Sequence, residues 1–194
     1  MLIALVGRAY TGKTAIATEL ASRGWTILSF TDHLKALAAF TINSVRGGDL
    51  NQLLTVDDIL ADKPRYRRFI QEFGSLIGYE SDPEWIEAFL EDELSMVGPV
   101  GSTDLVIDCL RSSAQIEGAR KFGAKIIGVW SYWSDRAVFA GGEELVSAAD
   151  SHPIDGKLQV KELGCDHILL NGQDRTVAKM VDDLLNQIKP VEAL

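Results

Sequence analysis

LIALVGRAYTGKTAIATELAS, residues 2–22, holds three kinds of pattern in one stretch. Residues 2–6 are an unbroken apolar run, the pattern of a strand buried on both faces of a parallel sheet. Residues 13–22 place Ile16, Ala17 and Leu20 on one helical face, and Gly24 follows as a C-cap. Between them lies GRAYTGKT, residues 7–14, with glycines at Gly7 and Gly12 and a Lys-Thr pair at its end. A glycine loop between a strand and a helix lets backbone N–H groups turn inward around an anion, and the helix adds the positive end of its dipole. In such a cradle Gly7, Ala9, Gly12 and Ala15 offer backbone to phosphates, and Lys13 reaches the β- and γ-phosphates. The Thr14 hydroxyl binds magnesium. The stretch therefore predicts a bound nucleoside triphosphate, with Mg2+.

Working outward, similar apolar runs recur at residues 26–30, 105–109, 126–130 and 167–170, separated by segments too long for hairpins. Helical stripes fill the gaps at residues 32–45, 67–77, 84–94, 114–122 and 176–188. Alternating strands and helices predict an α/β fold, a three-layer sandwich with a five-stranded, mostly parallel sheet of the P-loop NTPase type. Ligands then belong at the carboxyl ends of the strands. Residues 1–194 read as one domain, with a helical substrate-binding insertion at about 49–101 and a lid-like segment at about 131–165.

The composition narrows the partners. With 28 acids against 19 bases the net charge is -9, a surface that repels nucleic acid while leaving room for a local positive cleft. Cys109 and Cys165 are far apart and lack paired metal-ligand spacing, which points to a reducing cytoplasm and no zinc site. No stretch approaches the roughly 20 apolar residues of a membrane span. Small nucleotides are the expected partners, without nucleic acid or membrane; a homodimer is neither required nor excluded.

Several residues fall at the same predicted rim. Asp108 ends the run LVID, so its carboxylate emerges beside the loop if the two strands are neighbours, as a second magnesium partner; capping the helix that begins near Ser112 is the other role open to it. Asp32 closes the second apolar run and can accept a proton or hydrogen bond from a substrate, or cap its helix. Lys35, one turn on, suits a phosphate. Arg65, Arg67 and Arg68 crowd around Tyr66, a cluster that suits a substrate phosphate or a solvated basic face. Arg111 lies just past Asp108, and the amide of Gln71 can read a base edge. Arg136 falls in the lid segment, where it can neutralise transition-state charge or pair with Asp135.

Four segments add a family likeness: FTDHLKALA at 30–38, RRFIQEFGSLIGY at 67–79 with Trp85 after it, LVIDCLRSSAQIEGARKFGA at 105–124, and HILLNGQDRTV at 167–177. In order and spacing the chain resembles the bacteriophage deoxynucleoside monophosphate kinases, a branch of the P-loop nucleoside monophosphate kinases that also includes dephospho-coenzyme A kinase. The resemblance implies that Asp32, Lys35, Arg68, Gln71 and Arg111 face the acceptor nucleotide, and that Asn171 and Gly172 lie by the adenine. It also implies transfer of the γ-phosphoryl of ATP to a deoxynucleoside monophosphate, in the cytoplasm of a host cell if the chain is viral. The chain departs from the family pattern at Tyr79, where the family has arginine, at Gln115, where it has glutamate, and at Ile154-Asp155, which replace Ser-Glu after His152. Asp108 also precedes Arg111 by three residues where the family spaces the pair by two, an offset that a bulge at Cys109–Leu110 would absorb. A kinase of another small acceptor, or a nucleotide-binding protein without catalysis, stays open.

Overall fold

The computed structural model describes residues 1–7, 11–46, 53–79, 81–98, 101–131, 164–172 and 175–188. Five strands alternate with helices in chain order: β1 (Leu2–Val6), α1 (Lys13–Ser22), β2 (Thr26–Leu28), α2 (Phe30–Arg46), α3 (Val56–Ala61), α4 (Lys63–Leu76), α5 (Glu84–Val97), β3 (Leu105–Leu110), α6 (Ser113–Lys121), β4 (Lys125–Ser131), β5 (His167–Asn171) and α7 (Val177–Ile188). The strands form one sheet in the order β2-β3-β1-β4-β5, and every pairing is parallel. The expectation of a mostly parallel α/β sandwich is met in full. Among the described residues no helix is long and apolar enough to cross a membrane.

The central strand shows why the sheet lies between two helical layers. All five residues of β1 are buried, and they alternate between two cores. Leu2, Ala4 and Val6 join Leu34 of α2, Ile86 and Leu90 of α5 and Ile116 of α6. Ile3 and Leu5 face the other way, onto Ile16 and Leu20 of α1 and Val181 and Leu184 of α7. A strand apolar at every position can satisfy both faces only in this arrangement. Each such side chain contributes about 1.5–3 kcal/mol on burial.

Two local features depart from the expectation. The second strand stops at Leu28, two residues short, because Phe30 opens α2: the Ser29 carbonyl accepts from the N–H groups of Asp32 (3.0 Å) and His33 (3.4 Å). Asp32 is thus in the first turn of α2, where its charge suits the helix dipole, and is not an N-cap. The second feature is a break in register. Ala4 of β1 pairs with Ile107 and Val6 with Leu110, so β3 carries one extra residue between them, at Asp108–Cys109. Without it Leu110 would face the opposite side from Ile107; with it both enter the same core.

The helical insertion is present as α3, α4 and α5. Helix α3 was not expected from the sequence. It is held by a capping box in which Thr55 and Asp58 satisfy each other's backbone N–H groups. Nearly all of the lid-like segment, with Arg136, His152 and Asp155, lies outside the described residues, as does Ala9.

Candidate functional site

The parallel pairing of β1 with β3 and β4 brings their carboxyl ends to one edge of the sheet, and β1 leads there into residues 7–14. Gly7 is packed so closely that a Cβ on it would sit 2.4 Å from the Val129 carbonyl oxygen of β4. Gly12, at φ +99°, is the N-cap of α1, and a Cβ there would meet the Asn171 amide nitrogen at 2.6 Å. Both positions demand glycine for contact reasons as well as conformational ones. Lys13 is 8% exposed and donates from Nζ to the Gly7 carbonyl at 2.7 Å, so its charge lies at the carboxyl end of β1. Thr14 and Ala15 are exposed in the first turn of α1, which contains no acid to repel an anion.

Asp108 stands next to this segment because β3 is the direct neighbour of β1. Its Oδ2 accepts from the Ser29 hydroxyl at 3.1 Å, whereas its Oδ1 is buried and accepts no hydrogen bond among the described residues. Burial pushes the carboxyl above its ordinary range; the Ser29 bond opposes this, Asp32 adds to it, and Lys35 and Lys13 draw it down. Five groups from β2–α2, β3 and α1 therefore share one electrostatic environment. A buried carboxylate oxygen without a donor is costly unless something cationic completes it. No cluster of three or more His, Cys, Asp or Glu side chains occurs among the described residues. A hard cation here would take few protein ligands and the rest from phosphate and water, the usual arrangement for magnesium. The unbonded oxygen of Asp108 fits that ion.

Asp32 and Lys35 form an ion pair on α2, with the lysine the more buried partner. Arg111 follows β3 directly, and its N–H donates to Gln115 Oε1 at 2.7 Å. Gln115 is 2% exposed, and its Nε2 donates to the Tyr79 carbonyl at 3.3 Å. Tyr79, 2% exposed, stacks on Phe30 with ring centroids 4.4 Å apart and donates its hydroxyl to the Phe30 carbonyl at 2.6 Å. Two of the positions that depart from the family pattern, Tyr79 and Gln115, are thus bonded to each other.

Other predicted residues fall elsewhere. Arg68 is 89% exposed on α4, and its bonded partner among the described residues is Glu72, one turn along. Gln71 lies half-buried on the same helix. Neither is joined by a described contact to Asp32, Asp108 or Arg111. Asn171 ends β5 with its amide nitrogen donating to the Thr11 carbonyl at 3.0 Å, a tie to the glycine segment that its sequence position does not announce; Gly172 follows it, half-buried. Ser29 was also missed: a serine between a strand and a helix reads as a turn, and only the fold sets it against Asp108.

Neither a family model nor a curated protein matches the chain. Among solved structures it is similar to the crystal structure of TT1252 from Thermus thermophilus, with 17% identity, 97% of this chain and 98% of that chain covered, and a TM-score of 0.50. A likeness at that identity is one of fold, and it accords with the parallel α/β sheet and its flanking helices.

Proposed function

We propose that this chain is a nucleoside monophosphate kinase of the phage deoxynucleotide type, transferring the γ-phosphoryl group of ATP to a deoxynucleoside monophosphate to give ADP and the diphosphate. The observation that carries the reading is the placement of Lys13 and Asp108 at one sheet edge, with a buried oxygen of Asp108 left without a donor. The bulge in β3 adds to it. The extra residue lies at Asp108–Cys109, one position before the Cys109–Leu110 bulge expected from the spacing, and it supports the reading by making room for the longer interval between Asp108 and Arg111.

On this reading the glycine segment binds the phosphates of ATP through backbone N–H groups and the dipole of α1. Thr14 and Asp108 are the residues that would hold magnesium, which supplies neutralisation of the β- and γ-oxygens when bound. Lys13 offsets negative charge on the β- and γ-phosphates, and Arg111 holds the phosphate of the acceptor. An acceptor phosphate oxygen attacks the γ-phosphorus in line; the bond from that phosphorus to the β–γ bridging oxygen breaks, and ADP leaves. Asp32, paired with Lys35, lies where it can accept a hydrogen bond from the acceptor. No covalent intermediate with the protein is needed, so positioning and charge account for the rate.

A second reading, a kinase of another small acceptor such as dephospho-coenzyme A or a nucleoside, is favoured by the solvent position of Arg68, which leaves fewer cations at the acceptor end. A panel of deoxynucleoside monophosphates, nucleosides and dephospho-coenzyme A, assayed for ADP release, tests both. Stimulation by the monophosphates supports the first reading. Preference for dephospho-coenzyme A or an uncharged nucleoside contradicts the first and supports the second, and tight ATP binding without turnover on any acceptor makes the chain a nucleotide-binding protein instead.

A further inference from the structure

We propose that Gln115 is a positioning residue that fixes the main chain of Arg111 at the acceptor end of the site. The inference rests on the kinase reading above. A side-chain amide that is 2% exposed is kept at a cost unless both ends are bonded, and here both are: Oε1 to the Arg111 N–H at 2.7 Å, Nε2 to the Tyr79 carbonyl at 3.3 Å. With both ends occupied by backbone partners, Gln115 supports the site without reading a base.

The bonds around Gln115 form a closed circuit. From Tyr79 the hydroxyl reaches the Phe30 carbonyl at 2.6 Å; Ser29, the preceding residue, donates to Asp108 at 3.1 Å; and β3 leads from Asp108 back to Arg111. The circuit crosses three segments far apart in sequence: the start of α2, the turn after α4 and the junction of β3 with α6. It closes beside the register break in β3. The register break at Asp108–Cys109 interrupts the regular ladder, and β3 ends one residue after it, at Leu110, so Arg111 lies past the last pairing with β1 and takes its bond from a side chain. Gln115 gives the Arg111 main chain a bond, whereas Ser29 holds the side chain of Asp108.

Steady-state kinetics of the full chain with ATP and a deoxynucleoside monophosphate test the assignment. Gln115→Met keeps the volume and removes both bonds. It is expected to raise the acceptor KM about tenfold while the ATP KM stays within about twofold. Gln115→Glu keeps an acceptor for the Arg111 N–H and is expected to fall between wild type and Gln115→Met. Tyr79→Phe removes one hydroxyl on the far side of the circuit, does not disturb Gln115, and provides the test if the Gln115 variants do not fold; a rise in acceptor KM of about threefold, again with the ATP KM unchanged, is expected. An unchanged acceptor KM in the folded variants, or equal rises in both KM values, overturns the positioning role. Absence of turnover in the wild-type chain with every monophosphate overturns the kinase reading itself, and is seen before any variant is made.

Discussion

The amide of Asn171, the last residue of β5, donates to the carbonyl of Thr11, 160 positions earlier, and packs where a side chain on Gly12 would go. A strand at the edge of the sheet thereby braces the segment that leads into α1. Asn171→Ala is expected to weaken ATP binding about tenfold, measured by titration calorimetry with magnesium present, and to leave the fold intact. Gly12→Ala meets the Asn171 nitrogen at 2.6 Å and also forces a Cβ onto φ +99°, so it should cost more. The double variant should cost less than the sum, since removing Asn171 relieves the clash and leaves the backbone strain.

Asp108 should be a residue that the fold tolerates at a cost. Its carboxyl is held above the ordinary range chiefly by burial, so the folded chain binds that proton more tightly than the unfolded chain does. The ionised form therefore lowers stability at neutral pH, and the penalty disappears once the pH falls below the unfolded carboxylate range. Asp108→Asn is expected to raise Tm by about 2–4 °C without nucleotide, the shift that ~1 kcal/mol gives in a chain of this size, while turnover falls at least a hundredfold. Loss of both stability and turnover would instead mark Asp108 as structural.

His33 gives the opposite dependence. Burial holds its pKa below 6.5, against the pull of Asp92 and Glu93 on α5. The unfolded chain then takes up a proton that the folded one resists, so His33 destabilises the fold as pH drops through the ordinary histidine range. Urea midpoints measured between pH 7.5 and about 5.5 are expected to fall less steeply in His33→Gln than in wild type. Parallel slopes would show that His33 is not responsible.

The sheet was legible in the sequence because strands buried on both faces read as continuous apolar runs, as residues 2–6 and 105–107 do. The boundary at residues 28–30 was not, since Phe30 is as apolar as a strand residue and only the bonds of Asp32 and His33 to the Ser29 carbonyl show that it belongs to a helix. Helix α3 left a readable mark, Thr55 three residues before Asp58, but six residues are too few for a clear apolar stripe. The extra residue in β3 was suggested by the spacing of Asp108 and Arg111, yet its place depends on which residues of β1 lie opposite. Gln115 and Tyr79 stood out as departures from a family pattern; that they bond to each other is a property of the folded chain alone.

The central claim is that Lys13, buried at the sheet edge and bonded to Gly7, serves phosphoryl transfer and not the fold. Lys13→Met keeps most of the side-chain volume and removes the charge. ADP release from ATP and a deoxynucleoside monophosphate is the measurement that tests it most directly, with circular dichroism to verify the fold. The account predicts a drop in kcat of at least a hundredfold in a chain that remains folded; turnover near that of wild type would contradict it.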